Sequence, residues 1–255
     1  MNFFTYLFKF SERACRILGI SYSFSSDGED YVLYKYLQGI KNGIYIDVGS
    51  NHPVRHSNTF LFYLMGWRGI CIDPIPQLKS KYKKYRKNDL FINAGIIGSL
   101  SAPSELKFYY YKDFPDNSTF DPKRASELER LFNRRPTSVT DIPVISVSNV
   151  VDSIEKIKSN DKELKLLNLD TEGYELGILE NFFSHRCYPW IVCVEELGNT
   201  AESVLNGQIY KLMKDNNYTL GAKTFLSSIY IRKDVLKKMP SAYVKELVTT
   251  MNNND

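Results

Sequence analysis

Short apolar runs alternate with helical stretches along this chain, and each apolar run ends on a polar residue. Ile44-Tyr45-Ile46-Asp47-Val48 is β-branched and aromatic, the composition of a buried strand. Ser57 can cap a helix over Asn58–Met65, which Gly66 would end. Gly69-Ile70-Cys71-Ile72-Asp73 is a second buried strand, closed by Pro74 and Pro76. A basic helix and a third strand, Leu90–Ile96, follow. Strand, helix, strand, helix, strand in this order implies parallel strands joined by right-handed crossovers.

The remainder extends the same pattern. A helix over Glu29–Leu37, capped by Ser26 or Asp27, precedes the first strand. Leu164–Asp170 and Trp190–Glu195 are further core strands, with a helix between them spaced by Leu176, Leu179 and Phe183. A helix over Glu202–Asn216 leads to two closing strands, Tyr218–Lys223 and Phe225–Arg232, which suit an antiparallel pair at the sheet edge. The middle is less regular: strands over Glu105–Tyr111 and Ile142–Val147, a helix over Asp152–Lys158, and residues 112–140 as an excursion over the active face. No internal repeat or linker appears, so the expectation is one α/β domain over 23–235. An N-terminal amphipathic helical extension (1–22) precedes it, and a C-terminal helix with a disordered tail (236–255) follows.

Composition narrows the function classes. With 43% hydrophobic and 24% charged residues the chain reads as soluble and globular. A net charge of +4 is too mild, and the basic residues too scattered, to argue for nucleic acid. The dense basic run Lys79–Lys87 reads as the solvated face of a helix, or else as a phosphate- or glycan-contacting patch. Cys15, Cys71, Cys187 and Cys193 form no CxxC pair, and two of them lie in apolar strands, which suggests a reducing, cytoplasmic compartment. No apolar run has transmembrane length. In the first segment Phe3, Leu7, Phe10, Ala14 and Ile17 share a helical face beside Lys9, Arg13 and Arg16. That face would cover the domain, join a second copy into a homo-oligomer, or rest on the inner face of a membrane.

In a doubly wound sheet, ligands bind outside the carboxyl ends of the strands, near the point where strand order reverses. The polar strand ends are Asp47-Val48-Gly49-Ser50-Asn51, Asp73, Asn93-Ala94, Asp170-Thr171-Glu172-Gly173 and Glu195-Glu196. A glycine directly after a strand lets a ligand approach the backbone. Ser50-Asn51-His52-Pro53 follows Gly49, so the GxGxxG cradle of dinucleotide sites is missing and a nucleoside without phosphates fits better. Asp47 would then hold the amino-acid end of such a ligand, and an acid at Asp73 can accept both ribose hydroxyls.

The stretch SFSSDGEDYVLYKYL, followed by GIYIDVGSNHPVRHSNTFLFYLMGWRGICIDPIPQL, resembles the opening of FkbM-type methyltransferases. A second block, DIPVISVSNVV and then LKLLNLDTEGYELGILENF, resembles that family's short Pro-Val strand and its Asp-x-Glu-Gly-x-Glu signature. The two blocks together span residues 23 to 200. The resemblance implies a class I methyltransferase-like fold: a doubly wound, mostly parallel seven-stranded sheet with an antiparallel edge strand. It also implies S-adenosylmethionine as cofactor, held by Asp47, Gly49, Ser50, Asn51 and Asp73, with Asn93 and Ala94 near the adenine. Acceptors in the family are commonly hydroxyls of glycans or secondary metabolites, so an O-methyltransferase of polysaccharide biosynthesis, with no nucleic-acid partner, is the expectation.

Two chemistries for activating such a hydroxyl remain open. Asp170, Glu172, Glu195 and Glu196 end neighbouring strands, which lie about 4.8 Å apart, so their carboxylates can converge on Mg²⁺ or another divalent cation. Alternatively Glu172 and Glu175 only cap the helix that starts near Gly173. His52 and His56 follow the presumed cofactor turn, and either could act as general base with Asp170 orienting it; otherwise they cap a helix or rest on a tyrosine. The rival readings are a nicotinamide-dependent oxidoreductase or epimerase, which the missing glycines oppose, and a non-catalytic binding domain.

Overall fold

The computed structural model describes residues 22–96, 98, 103–157, 163–196 and 200–245. All but the last residue of the expected N-terminal extension, and the tail from 246, lie outside the described residues. Helix α1 (Glu29–Leu37) precedes strand β1 (Ile44–Val48). Helix α2 (Phe60–Leu64), β2 (Arg68–Ile72), α3 (Leu78–Tyr85) and β3 (Leu90–Ile92) complete the first half. Next come β4 (Gly95–Ile96), β5 (Glu105–Tyr110), α4 (Pro122–Phe132), β6 (Ser138–Ile145) and α5 (Val147–Asp152). The second half is β7 (Leu164–Leu169), α6 (Glu175–Ser184), β8 (Ile191–Glu195), α7 (Ala201–Leu205), α8 (Gln208–Asp215), β9 (Tyr218–Lys223) and β10 (Ser227–Arg232).

Seven strands form one sheet in the order β3-β2-β1-β7-β8-β10-β9. The pairings from β3 to β8 are parallel, and β10 runs antiparallel to both β8 and β9. This is the class I methyltransferase-like arrangement, with the antiparallel pair at the edge. Strand order reverses between β1 and β7, so the ligand crevice belongs at their carboxyl ends. Alternation along each strand divides the core into two layers. Tyr45, Cys71, Leu166 and Cys193 face α1, α2 and α3, whereas Ile46, Ile70, Leu167 and Val192 face α5, α6 and α8.

The structure departs from the expected elements in several places: α1 starts after Gly28 with no side-chain cap from Ser26 or Asp27, and the helix expected over Glu202–Asn216 is two, α7 and α8, parted at Gly207. The third strand stops at Ile92, because the Asn93 side chain turns to donate to the Asp73 carbonyl at 2.9 Å; Gly95 and Ile96 then join a separate three-stranded sheet, β4-β6-β5. The excursion contains helix α4, started by Asp121, whose side chain accepts the Lys123 N–H, with Pro122 in the first turn. The helix expected over Asp152–Lys158 begins earlier, at Val147, because Ser146 and Asn149 form a capping box.

The basic run on α3 is a solvated face with one exception. Lys79, Lys81, Lys83, Lys84 and Lys87 are exposed, but Arg86 is 0% exposed. Its guanidinium lies 2.7 Å from Asp89 and donates to the Tyr45 hydroxyl at 2.7 Å, Thr59 Oγ1 at 2.9 Å and Ser57 Oγ at 3.3 Å. The rings of Tyr45, Tyr63 and Tyr82 surround it at 5.3–5.7 Å. Asp89 is equally buried and also accepts the Gly69 N–H. Removing one partner of such a pair leaves an uncompensated buried charge. Arg86→Met is therefore expected to lower the unfolding free energy by about 3–5 kcal/mol, read by urea denaturation; a loss within error of zero would show that the cluster contributes nothing.

Candidate active site

The turn after β1 is shaped by its neighbour. Gly49 has φ +72°, and a Cβ there would lie 1.6 Å from the Asp170 carbonyl oxygen. Only glycine fits both the angle and the contact. The Asp170 N–H donates to the Val48 carbonyl at 3.0 Å, drawing the end of β7 against this turn. The N–H groups of Gly49 and Ser50 both donate to the Ile72 carbonyl, at 3.0 and 3.1 Å. Ser50 Oγ is buried with no hydrogen-bond partner among the described residues, and Ser50 lines the cleft described below. A buried hydroxyl is costly to leave unpaired, so it marks a place for a ligand atom. At the end of β2, Asp73 accepts the Asn51 N–H on Oδ2 and the Ile75 N–H on Oδ1, both at 2.8 Å. These bonds hold the carboxylate at the cleft wall.

Asp47 lies lower. Thr59 Oγ1 donates to its Oδ2, Asn168 Nδ2 donates to its Oδ1 at 2.9 Å, and Arg86 stands 3.8 Å away. Burial pushes its pKa up, against the opposing pull of Arg86, Thr59 and Asn168. Asn168 in turn accepts from Asn58 Nδ2 at 2.9 Å. Sequence reasoning missed Asn58, Thr59, Asn168 and Arg86; only Asn168 carried a signal, as a polar residue inside an apolar strand on the same face as Asp170.

Asp170, Glu172 and Glu195 each bring a carboxylate oxygen within 4.8 Å of the others. Glu172 sits at φ +55°, unusual for a side-chain-bearing residue, and its carboxylate lies 3.6 Å from Arg124 of α4. Glu175 does something else: it accepts the Thr171 N–H and hydroxyl at 2.7 Å and the Gly173 N–H at 3.1 Å, closing the turn before α6. The capping role thus falls to Glu175, and Glu172 joins the cluster. Glu196 does not join it. Successive residues of a strand point to opposite sides, and Glu196 Oε2 instead accepts the Tyr230 hydroxyl at 2.8 Å. Asp170 is solvent-exposed where it opens onto the cleft, with protein packed densely around the rest of it. That enclosure, and then the charges of Glu195, Glu172, Glu175 and Asp47, raise its pKa well above the usual carboxylate range. Burial, with Glu172 and Glu175, raises Glu195 to about 8, against a hydrogen bond with Asp170 and the charge of Arg124.

These groups line one cleft of about 200 Å³ across the strand ends, with Asp73 from β2, Ser50 after β1, Asp170 after β7 and Glu195 on β8. His56 and Ala94 line it as well. His52 and Asn93, expected beside them, do not. Nδ1 of His52 accepts the Val54 and Arg55 N–H groups, both at 3.2 Å, and burial followed by Lys81, Arg55 and His56 lowers its pKa to about 4. Asn93 is engaged by Asp73, as above. Phe108, Pro115, Ser118 and Phe120 line the cleft from β5 and the excursion. The donor set fits a nucleoside: the Asp73 carboxylate at the cleft wall would repel a pyrophosphate, and the turn after β1 has no glycine cradle to offer it backbone N–H groups.

The sequence matches the Methyltransferase FkbM domain over residues 47–220. No curated protein matches it. Among solved structures, it is similar to precorrin-6y C5,15-methyltransferase from Geobacter metallireducens GS-15, at 12% identity and a TM-score of 0.37, covering 79% of this chain and 83% of that one. It is also similar to a TehB-like SAM-dependent methyltransferase from Corynebacterium glutamicum, at 11% identity and a TM-score of 0.37, covering 90% and 98%.

The carboxyl cluster gives stability a pH dependence of definite sign. Folded Glu195 holds its proton up to about pH 8, whereas an ordinary glutamate releases it near 4.5. Between those values the folded state binds more protons than the unfolded one, so stability falls as pH rises through the window. Urea denaturation across that window is expected to show this decline in the native chain and a flatter dependence in D170N/E195Q. An equal slope in both would place the titrating groups elsewhere.

Proposed function

The chain belongs to the FkbM methyltransferase family, and from that premise we propose that this S-adenosylmethionine-dependent enzyme methylates a hydroxyl of a sugar, in a glycan or a related small metabolite. The observation that carries this reading is the division of one cleft into unlike halves. Asp73 and the orphaned Ser50 hydroxyl line the β1–β2 half. The converging Asp170, Glu172 and Glu195 carboxylates line the β7–β8 half. Three strand spacings separate Asp73 from Glu195, about 14 Å along the sheet.

When bound, S-adenosylmethionine supplies a methyl group on a positively charged sulfur. Asp73 and Ser50 would hold its nucleoside, the turn at Gly49 and Asn51 would line its course, and Ala94 would lie beside the adenine. The acids of the cleft favour that cation and disfavour the pyrophosphate of a nicotinamide dinucleotide. On the other side, Asp170 and Glu195 share a hydrogen bond, and burial with the neighbouring carboxylates raises both pKa values. A carboxylate oxygen of this pair would take the proton of the acceptor hydroxyl as its oxygen becomes the nucleophile. His56, at the same cleft, is the second candidate base. The same carboxylates also suit a hard divalent cation with oxygen ligands, which would polarise the hydroxyl instead. The reading assigns the enzyme to polysaccharide or metabolite modification in the cytoplasm.

Two substitutions separate donor binding from chemistry. Asp73→Ala is expected to weaken binding of S-adenosylhomocysteine by roughly 1.5–3 kcal/mol. Asp170→Asn should leave that binding near normal and slow turnover about a hundredfold or more, measured as S-adenosylhomocysteine release on surface glycan from cells lacking the protein. Near-normal turnover in D170N would remove the catalytic role. A chelator that abolishes turnover would select the cation over the proton-accepting pair.

A further inference from the structure

The β9–β10 hairpin turns at the carboxyl edge of the sheet, because β10 runs antiparallel to β8 and starts opposite Glu195. The Thr224 N–H donates to the Ser227 carbonyl at 2.8 Å, and the Ser227 N–H donates back to Thr224 Oγ1 at 3.1 Å, so the turn is closed. Between them Phe225 is 79% exposed and Leu226 is 36% exposed. Leu226 lines the cleft, as does Ser26, and Thr224 Oγ1 donates to Glu29 at 2.8 Å, so the hairpin tip adjoins the start of α1. The chain reaches α1 along this rim. The Phe24 ring packs edge-on against Phe60 at 4.9 Å and Tyr22 at 5.9 Å, and its N–H donates to Asp30 at 2.7 Å. The segment ahead of Tyr22 therefore joins the domain at the cleft mouth, on the side where Phe225 stands out.

A lone exposed phenylalanine is ordinary on a soluble surface. This one has neighbours of matching chemistry. Residues 1–21 hold five aromatic side chains between Phe3 and Phe10, the three cations Lys9, Arg13 and Arg16, and one acid, Glu12. Across the cleft, exposed Arg55 and Lys81 stand near His52, beside His56 of the cleft wall. We propose that the cleft mouth docks on an anionic lipid bilayer, with Phe225 and the aromatic side chains of residues 1–21 entering the headgroup boundary and Lys9, Arg13 and Arg16 meeting the phosphates. Aromatic rings favour that boundary, and each cation near an anionic surface adds to the attraction. One weak anchor gives only marginal, reversible binding, whereas a hairpin tip and a basic segment on the same rim act together. The acids of the cleft oppose an anionic surface, so the attraction has to come from these cations. The docking stands apart from the methyltransferase reading; taken together, the two bring the acceptor to the cleft from the bilayer surface.

The test is co-sedimentation of the full chain with vesicles of phosphatidylcholine alone and of phosphatidylcholine with equimolar phosphatidylglycerol. The chain is expected to sediment with the anionic vesicles and not with the neutral ones, and less so as salt is raised. Phe225→Ser should weaken vesicle binding about tenfold, and K9Q/R13Q/R16Q about a hundredfold. Phe225→Trp reads the hairpin tip directly: the native Trp67 and Trp190 are buried, so a blue shift of fluorescence on adding anionic vesicles reports position 225. No sedimentation, equal sedimentation with both kinds of vesicle, or an F225W emission that does not move would overturn the proposal. Self-association lost in F225S, with no vesicle binding, would assign the face to a second copy of the chain instead. S-adenosylhomocysteine affinity, measured without vesicles, should be the same in all three variants as in the native chain; its absence in the native chain would end the donor reading and leave the docking result intact.

Discussion

The buried guanidinium of Arg86 holds together the parts on which the cleft stands. It ties α3 to β1 through Tyr45, to the start of α2 through Ser57 and Thr59, and to Asp89 before β3. A charge removed from water is tolerable only when its donors are satisfied and its partner is close. Here four hydrogen-bond acceptors and three aromatic faces meet that requirement. Thr59 passes the constraint on, since its hydroxyl also donates to Asp47, which is bonded to Asn168 on β7. A chain of polar contacts thus runs beneath the cleft from α3 across β1 to β7, and it fixes where the strand ends present their acids.

Above that base, the cleft is electrostatically one-sided. Arg86 partly offsets Asp47, but Asp170, Glu172 and Glu195 crowd together beyond its reach. Burial first, and then the neighbouring like charges, raise the pKa values of Asp170 and Glu195. In the proposed reaction this crowded pair is the proton acceptor, and its charge would favour positively charged ligands. The two Glu residues of the family-like signature divide the labour: Glu175 closes the turn, which holds Glu172 in its left-handed conformation at the cleft.

Much of this was legible in the sequence, for a physical reason. Parallel strands buried on both faces read as unbroken apolar runs, so β1, β2, β7 and β8 stood out, and the residues ending them had to share one sheet edge. That logic found Asp47, Gly49, Ser50, Asp73, Asp170 and Glu195 together. It failed where a side chain's direction decides the outcome. Asn93 and His52 are spent on local backbone and turn contacts, and Glu196 points to the other side of the sheet from Glu195. Arg86 was hidden in a run of lysines whose periodicity suggests solvent. α4 was hidden because Ala125 and Leu128 are its only buried residues, leaving too narrow an apolar face to read. The glycine at position 49 was anticipated for ligand approach, but the contact that demands it is the carbonyl of Asp170.

The central claim is that a cleft lined by strand-end acids and lacking a phosphate cradle binds a sulfur nucleoside. Isothermal titration calorimetry of the intact chain with S-adenosylmethionine, S-adenosylhomocysteine and NADH tests it most directly. Both sulfur nucleosides should bind with one-to-one stoichiometry and NADH should give no heat of binding. Tight binding of NADH with none of either sulfur nucleoside would contradict it.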